Sequence, residues 1–217
     1  MKAHDELEVI WEQVPVDYYQ KGTQNNILQR LWHRGKLKSV RLLIAYSKID
    51  PKKILDVGCA SGWFLSQLSH FYPKAKCYGI DVYKEAITYG KKRYKSLDLR
   101  YADGHSLPYA NKSFDVVVCT EVLEHVVDPE KVLREIRRVL SPNGVAVIEM
   151  DTGNRVFQLI WYWWTHMRHG VWEHAHIQVF NSKKLEVLIK KAGFTIIKKK
   201  TFNYSMAIAF LVNRNEG

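Results

Sequence analysis

The sequence predicts an α/β fold: a three-layer sandwich in which helices cover a seven-stranded, mostly parallel sheet with one antiparallel strand. From residue 53 onward, short apolar segments alternate with helical segments, which is the pattern of βαβ units. Residues 200–204 alone separate the last two predicted strands, and no crossover helix fits in so short a connection. These two strands must therefore pair antiparallel.

Each predicted element follows from its local pattern. Residues 114–119 are apolar on both faces, which is typical of a central parallel strand. Asp128-Pro129 opens a helix, because Asp is a favoured N-cap and Pro a favoured first helical residue. The predicted strands cover residues 53–57, 76–80, 97–101, 114–119, 145–150, 194–199 and 205–212. The other predicted helices cover 62–71, 84–94 and 182–192, and one or two more lie within 24–47, where the helical pattern is interrupted at Gly35.

The length of 217 residues fits one domain with short additions. We expect a helical cap at 1–48 and the α/β domain at 49–217, with an insertion at about 152–181. The polar first six residues predict no signal peptide, and the longest apolar run, 156–164, is too short to cross a bilayer.

The formal net charge of +11 favours polyanionic partners such as nucleic acid or anionic lipid, although a solvated basic surface is the plainer alternative. The three cysteines, Cys59, Cys77 and Cys119, form no CxxC pair and are too few for a disulfide framework. A cytoplasmic protein, with reduced thiols, is therefore expected.

The most specific local feature is the loop Gly58–Gly62, which follows a strand and opens a helix. Glycines allow the backbone to approach a ligand closely, and a helix N-terminus offers free N–H groups to a carboxylate or a phosphate. The Gly-x-x-x-Gly spacing differs from the fingerprint of dinucleotide folds, and a simple strand-to-helix turn is the alternative. Asp81, which closes the second predicted strand, can accept hydrogen bonds from both hydroxyls of a ribose, or it can cap the next helix.

Four stretches in this order, 55–62, 79–82, 102–109 and 114–126, resemble the class I S-adenosylmethionine-dependent methyltransferases. The similarity is greatest to the branch that includes the ubiquinone and menaquinone biosynthesis methyltransferases. The resemblance implies a Rossmann-like fold with S-adenosylmethionine as cofactor and S-adenosylhomocysteine as product. In such a fold the ligand lies beyond the carboxyl ends of the strands, and these stretches follow the first four strands at that edge.

The resemblance also implies roles for individual residues. The methionine part of the cofactor would lie near Glu121 and against Asp56, Gly58, Cys59, Ala60, Ser61 and Gly62. Asp81 would bind the ribose, and Val82 would pack on the adenine. Asp103 would accept from the adenine amino group beside the backbone of Gly104 or His105, and Tyr18 or Tyr19 would close over the cofactor. Ala60 departs from the family pattern, since many relatives have glycine there.

Methyl transfer from a sulfonium mainly requires alignment of acceptor, carbon and sulfur, and a base is needed only if the acceptor keeps a proton. His125 and His176 are the candidate bases, and the alternative for each is that it orders its loop. The histidines at 166, 169, 174 and 176 match no usual zinc spacing, so no metal site is expected.

The insertion at 152–181 lies where the family places its acceptor lid, and it is rich in aromatic residues. Trp161, Trp164 and Trp172 are the candidate acceptor-binding residues, which indicates an apolar, lipid-like acceptor. Flanking Arg155 and Arg168 resemble those of an interfacial segment and predict peripheral contact with an anionic membrane. Three alternatives stay open: a helix that docks its aromatics on the domain, an RNA or protein methyltransferase that uses the basic surface, and a cofactor-binding protein without activity.

Overall fold

The computed structural model describes residues 14–154, 158 and 181–214. Its helices are α1 (Tyr18–Asn25), α2 (Ile27–Tyr46), α3 (Trp63–Ser69), α4 (Lys84–Arg93), α5 (Pro129–Val139) and α6 (Ser182–Lys191), with a 3-10 helix at Leu123–His125. Its strands are β1 (Lys53–Val57), β2 (Lys76–Asp81), β3 (Leu97–Tyr101), β4 (Phe114–Thr120), β5 (Leu140–Asp151), β6 (Phe194–Phe202) and β7 (Ala207–Arg214).

The seven strands form one sheet in the order β3-β2-β1-β4-β5-β7-β6. The pairs among β1 to β5 are parallel, whereas β7 pairs antiparallel with both β5 and β6. The predicted fold class, with one reversed strand, is confirmed. Strand order reverses between β1 and β4, and open α/β sheets bind ligands at such a switch point.

Two apolar layers hold the sheet between its helices. On one face, Leu133 and Ile136 of α5 pack with Leu185 and Ile189 of α6. On the other face, α2, α3 and α4 contribute the buried side chains Val40, Leu43, Leu65 and Ile87. The start of α5 is capped as predicted, since the Asp128 side chain accepts from the backbone N–H of Lys131 at 2.9 Å.

The expected interruption at Gly35 is wrong, because α2 runs through it without a break for 20 residues. A Cβ atom at Gly35 would lie 2.0 Å from Oδ1 of Asn203, so the glycine instead allows the turn between β6 and β7 to approach the helix. The helix break lies at Asn26, whose side chain accepts from the backbone N–H groups of Leu28 and Gln29.

Strand β5 begins at Leu140, five residues before the predicted start, because residues 141–144 continue the strand with a shift in register rather than forming a separate turn. Strand β6 lies at the edge of the sheet and carries three consecutive lysines, Lys198–Lys200. Within residues 14–154 and 181–214, no helix has the length and apolar character needed to cross a membrane. Most of the insertion at 152–181 lies outside the described residues, and the domain boundaries stay a prediction.

Candidate functional site

The carboxyl ends of β1, β2, β3 and β4 surround one cleft, which α1 and α2 close from the side. Twelve of the residues predicted to act in the site line this cleft: Tyr19, Asp56, Gly58, Cys59, Ala60, Asp81, Val82, Asp103, Gly104, His105, Glu121 and His125. Ser61 and Gly62 are absent from the lining. The side chain of Ser61 is buried, and Gly62 is the N-cap residue of α3.

The glycine loop turns sharply through three left-handed residues, Gly58 (φ 78°), Ala60 (φ 47°) and Gly62 (φ 83°). A Cβ atom at Gly58 would lie 2.2 Å from Cγ2 of Val122, so this position requires glycine for conformation and for space. The positive φ of Ala60 indicates that a glycine would also suit this position, since glycine adopts the left-handed region without steric cost.

Asp81 connects this loop to the end of β2. Its Oδ2 accepts from the backbone N–H of Ala60 at 2.7 Å, and its Oδ1 accepts from that of Tyr83 at 2.8 Å. Burial raises the pKa of Asp81, and these backbone donors oppose the rise. Asp81 therefore lines the cleft and also holds the backbone just before α4, and its ribose role stays a prediction.

Asp103 and His105 form a second ordered pair at the end of β3. Oδ1 of Asp103 accepts from the backbone N–H of His105 at 2.9 Å and lies 2.6 Å from Nδ1 of its ring. The backbone N–H of Asp128 donates to Nε2 of the same ring at 3.2 Å. Because Nε2 is an acceptor there, the proton of the neutral ring belongs on Nδ1, which donates to Asp103.

Glu121, at the end of β4, is held by two side chains of α2. Its Oε1 accepts from Nε1 of Trp32 at 2.9 Å, and its Oε2 lies 2.7 Å from Nζ of Lys36. The backbone of Glu121 is left-handed, with φ 54°. Burial by itself would raise the pKa of Glu121, but the Lys36 ammonium holds it at about 2.

Sequence reasoning missed His33 and Lys36, which also line the cleft. Burial lowers the pKa of His33 to about 4, with a smaller effect from the Lys36 charge, so its ring is neutral. The ring packs edge to face between Tyr19 and Trp63, at 5.4 Å from each. One signal was available: His33 and Lys36 share the inward face of α2 with Val40 and Leu43.

Several buried carboxyl groups lie together beside the cleft. Burial, followed by the charge of Asp81, raises the pKa of Asp56 to about 8. Burial likewise raises the pKa of Glu149 to about 8, and that of Glu124 well above its usual range. Burial therefore favours their protonated forms, and a cationic ligand bound beside them would lower these pKa values.

The candidate base His176 and the tryptophans Trp161, Trp164 and Trp172 lie outside the described residues, as do the other histidines of their segment. In the part of the chain that the structure describes, no three His, Cys, Asp or Glu side chains are grouped to hold a metal ion. Cys59, Cys77 and Cys119 are buried free thiols, and burial raises the pKa of Cys119 well above its usual range, which makes it unreactive.

Comparison with known sequences identifies the family. The profile of the methyltransferase domain family matches residues 29–199. A malonyl-[acyl-carrier protein] O-methyltransferase of Legionella pneumophila is 30% identical over 148 residues, covering 66% of this chain and 49% of that protein. A ubiquinone/menaquinone biosynthesis C-methyltransferase of Desulfotalea psychrophila is 28% identical over 131 residues, covering 58% and 53%. The chain spans about half the length of these curated relatives.

Solved structures agree on the fold. A protein of Thermotoga maritima described as an S-adenosylmethionine-dependent methyltransferase, possible histamine N-methyltransferase, superposes with a TM-score of 0.74 at 19% identity, over 97% of this chain and all of that one. A methyltransferase of Haloferax volcanii solved in complex with the Trm112 activator gives a TM-score of 0.72 at 15% identity, over 93% and 95%. The fold, the motif order and the family profile agree, and the chain belongs to the S-adenosylmethionine-dependent methyltransferases with the class I, Rossmann-like fold.

Proposed function

We propose that this chain transfers the methyl group of S-adenosylmethionine to a small, apolar or lipid-like acceptor. One observation carries the assignment: the acidic residues at the ends of four neighbouring strands, Asp56, Asp81, Asp103 and Glu121, line a single cleft together with the glycine loop. The spacing of these groups along one sheet edge suits a ligand with an amino acid part, a ribose and an adenine.

The cofactor, when bound, supplies a methyl group already activated by the sulfonium. In the proposed arrangement, Asp81 accepts from the ribose hydroxyls, and Asp103, fixed by His105, accepts from the adenine amino group. Asp56 and Glu121 would face the amino group of the methionine part, beside the glycine loop. A Cβ atom at Gly58 would meet the side chain of Val122, so the glycine lets this loop pack closely against the turn after β4 at the cleft.

For the transfer itself, the chain has to orient the acceptor and to exclude water from the sulfonium. His125 is buried and lines the same cleft, beyond Glu121 and Val122. It is our proposed base for an acceptor that keeps a proton at neutral pH. His176 keeps the same role as a second candidate.

Two considerations support an apolar acceptor. The segment around Trp161, Trp164 and Trp172 concentrates aromatic side chains where the acceptor binds in related enzymes. One relative is named as a C-methyltransferase of ubiquinone and menaquinone biosynthesis. Arg155 and Arg168 would bring this segment to an anionic membrane surface, where such an acceptor resides.

A macromolecular acceptor is the second candidate. The relative from Legionella pneumophila is named for an acceptor carried on a protein, and the net charge of +11 favours an acidic partner such as a carrier protein or RNA.

Isothermal titration of the full chain with S-adenosylmethionine and S-adenosylhomocysteine tests cofactor binding directly. Transfer of labelled methyl is then measured on three acceptors: a demethylated prenyl quinol in liposomes, an acylated carrier protein and total RNA. We expect transfer to the quinol, and flotation of the protein with anionic but not with zwitterionic vesicles. Transfer to RNA or carrier protein alone, with steep loss at raised salt, would replace the lipid-like acceptor by the second candidate.

A further inference from the structure

The N-terminal helix α2 supplies the cleft with a buried cation. Lys36 is 3% exposed and lines the cleft, with Nζ 2.7 Å from Oε2 of Glu121 and 3.8 Å from Oε2 of Glu149. Burial opposes protonation of Lys36, but the two carboxylates raise its pKa, so the ammonium stays charged. A buried ion pair of this kind contributes little net stability compared with apolar packing, so fold stability alone is a poor reason for its presence.

The residue that Lys36 contacts is in an unusual conformation. Glu121 has φ 54°, and non-glycine residues in this region persist only where their surroundings hold them. Its backbone N–H donates to the carbonyl of Glu149 at 3.0 Å, and its side chain is held from α2, since Trp32 donates to one carboxylate oxygen and Lys36 pairs with the other. The turn after β4 and α2 are therefore fixed to each other at the wall of the cleft.

The neighbouring charged groups make Lys36 the principal counter-charge of Glu121. The other carboxyl groups of this cluster are Glu149 and Asp151 of β5 and Glu124 of the 3-10 helix, and burial raises the pKa of each. His33, one turn before Lys36, is neutral. Without the ammonium, the Glu121 carboxylate would keep the Trp32 hydrogen bond but would lose the positive charge that Lys36 places beside it.

We infer that Lys36 is a positioning residue for cofactor binding, which holds the Glu121 carboxylate as an acceptor for the amino group of the cofactor's methionine part. This inference rests on the proposed function. By this inference, α2 takes part in cofactor binding in addition to covering the sheet.

Titration calorimetry with S-adenosylhomocysteine, on the full chain, tests the inference. A lost charge-assisted hydrogen bond is worth about 1.5–3 kcal/mol, so we expect Lys36→Met to weaken binding by about 10- to 100-fold. Lys36→Arg, which keeps the cation, should retain most of the affinity. Lys38→Met, two residues along the same helix but exposed, is the matched control and should bind as the wild type does.

A double-mutant cycle distinguishes positioning of Glu121 by Lys36 from a general contribution of Lys36 to the stability of the site. Because Lys36 acts through Glu121, adding Lys36→Met to Glu121→Gln should change the dissociation constant by less than about twofold. The comparison of Glu121→Gln with the double variant still decides the question if the single Lys36→Met variant does not fold. Unchanged binding by Lys36→Met, or a full additional loss in the Glu121→Gln background, overturns the inference. Absence of binding by the wild type would instead overturn the proposed function.

Discussion

The carboxylate of Asp81 joins the two loops that follow β1 and β2, because its Oδ2 accepts from the backbone N–H of Ala60 at 2.7 Å. An acidic side chain held in this way presents its remaining acceptor capacity to the cleft in a fixed direction. The order of the glycine loop and the proposed ribose contact thus depend on the same carboxylate.

Replacing Asp81 by Asn should weaken cofactor binding, because the amide loses the charge that strengthens a hydrogen bond to a ribose hydroxyl. A loss of about 10- to 100-fold in the affinity for S-adenosylhomocysteine is expected, measured by calorimetry. Asp98→Asn is the control, since Asp98 lies on the neighbouring strand β3 and pairs with Arg100 at the surface. Equal affinities for the Asp81→Asn variant and the wild type would contradict the ribose role.

Replacing Gly58 by Ala should destabilise the fold. The new Cβ would lie 2.2 Å from Cγ2 of Val122 in a residue with φ 78°, so it meets a steric clash and backbone strain together. Strain of this kind alone costs about 1–3 kcal/mol of unfolding free energy. Gly104→Ala is the matched control in the same cleft, because its Cβ would find ordinary contacts, at 3.5 Å from Val57. In denaturant unfolding, Gly58→Ala should have a lower midpoint than Gly104→Ala. Equal midpoints would show that the loop shifts and avoids the clash.

The cofactor-free protein should lose stability as pH rises. Burial and the Asp81 charge raise the pKa of Asp56 to about 8, whereas an unfolded Asp titrates near about 3.9. Between these two pH values, the folded chain keeps a proton on Asp56 that the unfolded chain has lost. The contribution of this group to the free energy of unfolding is therefore full below pH of about 4 and declines as the pH rises toward about 8. Melting temperatures at several pH values should fall over this range for the wild type, and Asp56→Asn should flatten the decline. If the melting temperature of Asp56→Asn falls with pH as steeply as that of the wild type, Asp56 is not the source of the pH dependence.

Alanine variants of His105 and His125 should affect different quantities, the first the affinity for the cofactor and the second the turnover. His105 orders Asp103, so His105→Ala should raise the dissociation constant for the cofactor. His125 is proposed to act on the acceptor, so His125→Ala should leave cofactor affinity within about twofold and lower turnover by about 10²- to 10⁴-fold. Calorimetry and single-turnover kinetics with an identified acceptor distinguish these effects. Full turnover by His125→Ala would leave His176 as the remaining candidate.

Local patterns predicted most of the fold. Strands β1 and β3 have the predicted bounds, and Asp128 caps α5, because each depends on residues close together in the sequence. The glycine loop and Asp81 were predictable for the same reason, since a strand end, a turn and a helix start follow one another directly. Parallel strands have their carboxyl ends at one edge of the sheet, and this rule predicted that the acidic residues after them lie close together.

The contribution of α2 was not predictable in this way. Trp32 and Lys36 meet Glu121 more than 80 residues along the chain, and nothing in one sequence specifies that pairing. Lysine is moreover a residue type that is rarely buried, so the identity of Lys36 argues against the inward position that its helical spacing with Val40 and Leu43 indicates. The uninterrupted helix at Gly35 has a similar cause, since the contact with Asn203 comes from the far end of the sequence.

The lysines of β6 have a consequence for how copies of this chain meet. An edge strand exposes unpaired backbone groups that can extend a sheet into a neighbouring molecule. On β6, Lys199 pairs with Glu186 and Lys198 lies over the ring of Tyr46 at 3.8 Å, so their ammonium groups are held beside this edge. A second copy approaching edge to edge would bring like charges together and strip them of water. We therefore expect this lysine-bearing edge to resist strand-mediated aggregation.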